Sequence, residues 1–217
     1  HREDAEPRQA LRHGLSRALE RGGGLAELSE EHGSEDSTAG RGEGSRRAEA
    51  MIGSVGMHKK GENMRKELER LIELDRECYL LVHVNAVLNW DQETYMPPKA
   101  IEERAEQIAY LEGLIHEKAT SPEVGELLAA LGSTSGNPKG DASLSDIERA
   151  YLRVLRRVYD RETKLPADLV TELARSTSLA QSVWVEAKTT SDFALFKPHL
   201  EKIVALERRK AACLDPA

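Results

Sequence analysis

From Met64 onward, apolar residues return every three or four positions: Leu68, Leu71, Ile72, Leu74, Tyr79, Val82, Ala86, Val87 and Trp90. That period gathers them on one side of a helix, and it predicts a helix from about 63 to 90. The helix should stop ahead of Met96-Pro97-Pro98, because the residue before a proline is steered out of the α region. A second helix is expected from about Pro98 to Lys118, with proline in its first turn. Its apolar face is Ile101, Ala105, Ile108, Leu111, Leu114 and Ile115, and Glu102, Glu103 and Glu106 lie near the positive end of its dipole. Ser121-Pro122-Glu123 reads as the start of a short third helix ending near Leu131.

Gly132 to Ala142 reads as a loop. A fourth helix should begin at Ser143 or Ser145 and end near Thr163, with the stripe Leu144, Ile147, Ala150, Tyr151, Val154, Leu155 and Val158. Leu165-Pro166 opens a fifth, to about Lys188, carrying Leu169, Leu173, Leu179, Val183 and Trp184. Ser191-Asp192 caps a last segment, in which Pro198 is expected to begin a helix running to about Cys213. Strand-like alternation never exceeds four residues and no repeat is present, so the predicted fold is all-α, a set of helical hairpins.

Residues 1–62 are different. They are rich in Gly, Ser, Arg and Glu, with only brief apolar clusters at Leu11 to Leu19 and Leu25 to Leu28. Such a segment buries too little apolar surface to offset its ordering entropy. It is read as a disordered tail ahead of a helical region at 63–217. The sequence opens on His1, with Met51, Met57 and Met64 just before the helical pattern, so Met64 is the expected natural start.

The chain has 217 residues, of which 39% are hydrophobic, 32% charged and 4% aromatic. This mix suits helices packed through Leu, Ile, Val and Ala. The net charge of -7 is spread among mixed signs, and without a basic stripe nucleic acid is not an expected partner. No apolar run approaches the roughly 20 residues needed to span a bilayer, and there is no apolar signal core. No membrane role is expected, and the expected compartment is the cytoplasm. Cys78 and Cys213 lie far apart and outside any Cys-x-x-Cys pair, so both are expected to be free thiols.

Periodicity says nothing of function, but two stretches do. One is Leu88-Asn-Trp-Asp-Gln-Glu-Thr-Tyr-Met-Pro-Pro98, followed by Glu102-Glu-Arg-Ala-Glu-Gln-Ile-Ala-Tyr-Leu-Glu-Gly-Leu-Ile-His-Glu-Lys118. The other is Ser178-Leu-Ala-Gln-Ser-Val-Trp-Val-Glu-Ala-Lys188, then Ser191-Asp-Phe193, Phe196-x-Pro198 and Leu200-x-x-Ile-Val204. Residues 64–215 resemble the N-terminal helical part of the carboxypeptidase Taq family in motif order and spacing. The resemblance rests most on Trp90, Asp91, Gln92, Thr94, Met96, Pro97, Arg104, Gln107, His116 and Glu117. It implies a largely helical, cytosolic metallocarboxypeptidase, usually a homodimer, that removes single residues from the C-termini of peptide substrates. It also implies zinc or another divalent ion on a His-Glu-x-x-His helix plus a downstream Glu. Two His at i and i+4 share one helix face, and the adjacent Glu serves as general base toward the water on the metal.

That helix is expected downstream of Ala217. His116-Glu117 is the one His-Glu pair, and Thr120 stands where the second His would be. His116 is therefore expected at the surface, capping carbonyls of its helix. His83 is read as partly buried and hydrogen-bonded, and His199 as exposed. His1, His13, His32 and His58 have no partners at ligand spacing. The Asp91 and Glu93 carboxylates could serve acid–base chemistry, but the favoured reading is structural. In it Asp91 or Thr94 holds the turn by accepting from backbone N–H groups, and Trp90 and Trp184 pack between helices. No Gly-x-Ser-x-Gly elbow or phosphate loop is present. The motif residues as a whole are expected to be structural, with no catalytic or metal-binding residue in the chain. The chain then reads as an N-terminal fragment of a metallocarboxypeptidase, inactive alone. The alternatives are a stand-alone helical binding or regulatory module, or an enzyme completed by a separate chain.

Overall fold

A computed structural model describes residues 43–215, with side chains from residue 60 onward. The helices are α1 Glu43–Thr94, α2 Ile101–Ala119, α3 Pro122–Ala130, α4 Asp146–Glu162, α5 Ala167–Thr190 and α6 Phe193–Leu214. One 3-10 turn, Pro98–Ala100, leads into α2. Among the described residues there is no strand, and the fold is all-α.

The predicted elements recur in order, with three differences. Helical backbone starts at Glu43 rather than at about 63. That stretch mixes good helix formers such as Glu49, Ala50, Lys59 and Lys60 with the poor formers Gly53, Gly56 and Gly61, and carries no apolar stripe by which periodicity could reveal it. The part of the predicted disordered tail before Glu43 lies outside the described residues. The first helix also runs past Trp90 to Thr94, because Met96-Pro97-Pro98 is the first segment that cannot continue it. Finally, α6 starts at Phe193, and Pro198 lies inside it. Asp192 is the true N-cap, its carboxylate accepting from the Ala194 N–H at 2.9 Å, so the helix is nucleated upstream of the proline.

Two compact units make up the chain: residues up to Glu69 with Leu128–Arg156, and Arg70–Leu127 with the residues from Arg157 onward. In the first, Met64, Leu68, Leu128, Leu131, Tyr151, Leu152 and Leu155 form the core. The turn after α3 closes it. Gly132 adopts φ 73°, while the Gly132 and Ser133 N–H groups donate to the Ala129 and Leu128 carbonyls at 2.9 and 2.8 Å. That is the paired bonding of a left-handed helix end. Gly140, at φ 76°, has no room for a side chain, since a Cβ would stand 2.7 Å from both the Leu131 carbonyl oxygen and Leu152 Cδ1. Ser145 and Glu148 cap α4 reciprocally: Glu148 Oε2 accepts from the Ser145 N–H and hydroxyl, both at 2.8 Å.

In the second unit, Leu71, Ala105, Ile108, Ala109, Val124, Leu165, Leu169, Ala180 and Ala187 form the core. Small residues let α2 and α5 approach closely, and a Cβ on Gly113 would lie 2.9 Å from Thr171 Cγ2. Ion pairs tie the outer edges, Arg175–Glu106 at 2.5 Å, Arg209–Asp168 at 2.8 Å and Lys118–Glu77 at 2.7 Å.

Candidate functional site

The motif residues converge on the turn between α1 and α2 in the second unit. The chain leaves α1 with the Asp91 carbonyl accepting from both the Tyr95 and Met96 N–H groups at 3.0 Å. The Thr94 hydroxyl donates to the Trp90 carbonyl at 2.8 Å. Pro97 is extended, at φ -59° and ψ 136°, and sets up the 3-10 turn. Across the turn, Arg104 reaches back from α2. Its Nη2 donates to Asp91 Oδ2 and its Nη1 to the Leu88 carbonyl, each at 2.6 Å, and its Nε donates to Gln107 Oε1 at 3.1 Å. The Arg104 side chain is largely buried, so this charge-assisted fork closes the hairpin where water competes poorly.

Gln92, the next residue, turns toward α5. Its Nε2 donates to the Ser178 carbonyl at 3.0 Å and to Gln181 Oε1 at 2.8 Å, while its Oε1 accepts from the Ser178 hydroxyl at 2.7 Å. Gln92 thus joins the first motif stretch to the second, 86 residues away. Spacing along the sequence could not reveal this pairing, nor the roles of Ser178 and Gln181 in it.

Deeper along the same hairpin lies a second polar cluster. Asn85 on α1 donates to Glu112 Oε1 on α2 at 2.7 Å. Burial pushes the Glu112 carboxyl above its ordinary range, the Asn85 bond opposes that shift, and the Glu162 charge adds to it. His116 is buried, 8% exposed. Its Nδ1 stands 3.6 Å from Glu162 Oε2, within ion-pair range but beyond hydrogen-bond reach, and has no hydrogen-bond partner among the described residues. Its carbonyl accepts from the Thr120 N–H and hydroxyl at 3.0 and 2.7 Å.

Several expectations are thereby corrected. His116 is a buried side chain rather than a surface cap, because it continues the inward stripe Ala105, Ile108, Ala109, Glu112 at helical spacing. Glu117 beside it is exposed. The Asp91 carboxylate holds the turn through Arg104 rather than by accepting from backbone N–H groups, a part its main-chain carbonyl plays toward Tyr95 and Met96. His83 is exposed, with Nδ1 2.8 Å from the Tyr79 carbonyl, and His199 is half-buried within α6. His1, His13 and His32 and the side chain of His58 lie outside the described residues. Trp90 and Trp184 do not pack between helices; they are 57% and 46% exposed. Trp90 meets Tyr95 edge-on at 5.6 Å, and Lys188 Nζ lies 5.0 Å over Trp184. Met96 is half-buried, and Glu93 is exposed. Cys78 and Cys213 form no disulfide.

Among the described residues no three His, Cys, Asp or Glu side chains gather as metal ligands. His116, with one carboxylate at 3.6 Å and Thr120 at the i+4 position, does not make the donor set a tetrahedral divalent ion requires. These side chains therefore do not fit a catalytic metal. No described helix is long and apolar enough to cross a membrane.

Residues 70–217 match the family described as carboxypeptidase Taq (M32) metallopeptidase. The chain is 37% identical over 146 residues to thermostable carboxypeptidase 1 of Thermus thermophilus, which covers 67% of this chain and 28% of that protein. It is 33% identical over 147 residues to thermostable carboxypeptidase 1 of Pyrococcus furiosus, covering 68% and 28%. Its fold is similar to the crystal structure of BsuCP, with a TM-score of 0.63 at 26% identity, covering 70% of this chain and 29% of that one. It is also similar to the structure of Pyrococcus furiosus carboxypeptidase, Apo-Mg, with a TM-score of 0.53 at 31% identity, covering 70% and 29%. The chain thus spans a little over a quarter of the length of the curated relatives it matches. With the matching family model and the shared helical fold taken together, the chain belongs to the carboxypeptidase Taq (M32) metallopeptidase family.

Proposed function

We propose that this chain supplies the N-terminal helical part of a metallocarboxypeptidase, and that by itself it does not hydrolyse peptides. The reaction of the whole protein is then metal-dependent removal of C-terminal residues from a peptide substrate, with zinc or another divalent ion as cofactor. The observation that carries this reading is the donor set: the described side chains do not fit a catalytic metal, although the family is one of metallopeptidases. The metal ligands would then belong to the part of the fold outside the matched quarter of the relatives. A homodimer and a cytoplasmic location belong to the same proposal.

Within this reading the motif residues are positioning elements. Asp91, Arg104 and Gln107 fix the angle of the hairpin, and Gln92 with Ser178 and Gln181 fixes its distance from α5. These polar groups satisfy one another and leave little capacity for a substrate. Trp90, Thr94, Met96 and Pro97 shape the turn, and His116 with Glu117 closes the far end of α2.

The test is direct. The purified chain, supplied with zinc or cobalt, is assayed for release of a C-terminal amino acid from a peptide, beside the complete product of its gene. The expected result is no release by the chain and metal-dependent release by a product that carries a His-Glu-x-x-His helix. Release by the chain alone refutes the proposal. A gene product that lacks such a helix supports the stand-alone binding module instead.

A further inference from the structure

The inward stripe of α2 ends in two titratable residues one turn apart, Glu112 and His116. His116 lies in the last turn of α2, and Glu162 is the last residue of α4. With His116 Nδ1 and Glu162 Oε2 3.6 Å apart, two helices bring their partly negative carbonyl ends to one place. The imidazole is buried and the Glu162 side chain is 28% exposed. A buried ring nitrogen left without a hydrogen bond costs free energy. The group standing by to supply that bond is a carboxylate on another element.

The charges around the imidazole are unbalanced. Glu112 precedes it on the same stripe, and Glu162 and Lys210 of α6 act on the Glu112 carboxyl in opposite senses. Lys210 is shared with Glu207, 3.8 Å away. α1 supplies the neutral Asn85. Its Asp75 and Cys78, like Tyr159 of α4, have interactions of their own. Glu117 is exposed. The other neighbouring charges are paired: Glu77 with Lys118, Glu123 with Arg70, Asp168 with Arg209 and Glu172 with Lys202. Two carboxylates therefore face one shared ammonium, and the excess attracts a proton. Glu112 and His116 compete for it. The Asn85 bond favours the ionised Glu112 carboxylate, and an imidazole ordinarily takes up a proton at higher pH than a carboxylate does. The first proton then goes to His116.

We infer that His116 and Glu162 form a proton-operated clamp: a proton on the imidazole turns their 3.6 Å approach into a charge-assisted hydrogen bond that ties the end of α2 to the end of α4. Once charged, the ring donates from both nitrogens, so Nδ1 offers an N–H to Glu162 whichever tautomer the neutral ring adopts. Only the folded chain can make this bond. It therefore adds stability where the imidazole is charged and none where it is neutral, so the unit tightens as pH falls through the imidazole range. The clamp concerns this unit alone and holds whether or not the chain takes part in peptide hydrolysis.

The experiment follows the thermal midpoint of the purified chain between about pH 8 and about pH 6, beside Glu162→Gln and Glu112→Gln. On acidification the midpoint of the unaltered chain should gain about 2–4 °C over that of Glu162→Gln. Glu112→Gln should keep more than half of that gain. An equal response in the unaltered chain and in Glu162→Gln overturns the inference. So does a response lost in Glu112→Gln, which would place the proton on that carboxyl. A second measurement needs no variant to fold under stress: nitrogen NMR of the His116 ring in the unaltered chain. Both ring nitrogens should carry protons at about pH 6 and only one at about pH 8; a ring that keeps one bare nitrogen at the lower pH also overturns the inference.

Discussion

Arg104→Met tests whether the motif around the turn is structural. The substitution keeps most of the aliphatic stem and removes three hydrogen bonds, to the Leu88 carbonyl and Asp91 Oδ2 at 2.6 Å and to Gln107 Oε1 at 3.1 Å. Bonds that involve a charged group contribute about 1.5–3 kcal/mol each. Two features hold the total down. The Leu88 carbonyl keeps its helical partner, and the Asp91 side chain is 35% exposed, so water replaces part of what it loses. The expected cost is about 2–3 kcal/mol of unfolding free energy, of which about 1–2 kcal/mol should appear as coupling in a double-mutant cycle with Asp91→Asn. Arg104→Lys keeps the charge but not the fork, so it should recover less than half of the loss. Urea denaturation followed by tryptophan fluorescence reads the transition, with Trp90 beside the turn. A coupling below about 0.5 kcal/mol, the value of an ordinary surface pair, would refute the structural reading.

Three further expectations concern stability, each measured by denaturant or thermal unfolding of the purified chain. Glu112→Gln should stabilise the chain at neutral pH while keeping an acceptor for Asn85. Burial raises the folded carboxyl above its unfolded value, so the native state favours the protonated form, and the cost of ionising it is absent below the unfolded pKa and complete above the folded one. The gain should therefore vanish near pH 4, just below the ordinary glutamate value of about 4.3, and a gain equal at both pH values would contradict this. Gly140→Ala should destabilise by about 2 kcal/mol or more, from a positive φ and from the clash with the Leu131 carbonyl and Leu152. Ser191→Gly should stabilise by about 0.5–1 kcal/mol, because Ser191 ends α5 at φ 56°, where glycine carries no Cβ penalty.

The order of the helices was legible because proline and glycine punctuate an unbroken helical period. Met96-Pro97-Pro98 and Ser121-Pro122 stand where the expected breaks fall, and Gly132 closes α3 as a helix end should. What the sequence did not disclose had specific causes. The burial of His116 was available in principle, since it extends the stripe Ala105, Ile108, Ala109, Glu112, but a glutamate and a histidine stand outside an apolar pattern. The exposure of Trp90 and Trp184 was not available. Periodicity tells which residues share a side of a helix, not whether another element covers that side. The Gln92–Ser178 contact spans 86 residues, a distance over which one sequence carries no pairing signal.

The two polar clusters differ in what they leave free. Around the turn, Asp91, Arg104, Gln107, Gln92, Ser178 and Gln181 bond to one another, which suits a joint that must not move. Around His116 the balance is looser: among the described residues the buried Nδ1 has no hydrogen-bond partner, and the Glu162 carboxylate stands at 3.6 Å. A single imidazole beside a single carboxylate cannot hold a divalent ion firmly, nor place one against a peptide. Chemistry on a scissile bond needs several groups converging on one atom, and the motif's polar groups converge on each other instead. What this part of an M32 fold contributes is therefore position: a hairpin locked in angle by Arg104 and fixed to α5 by Gln92.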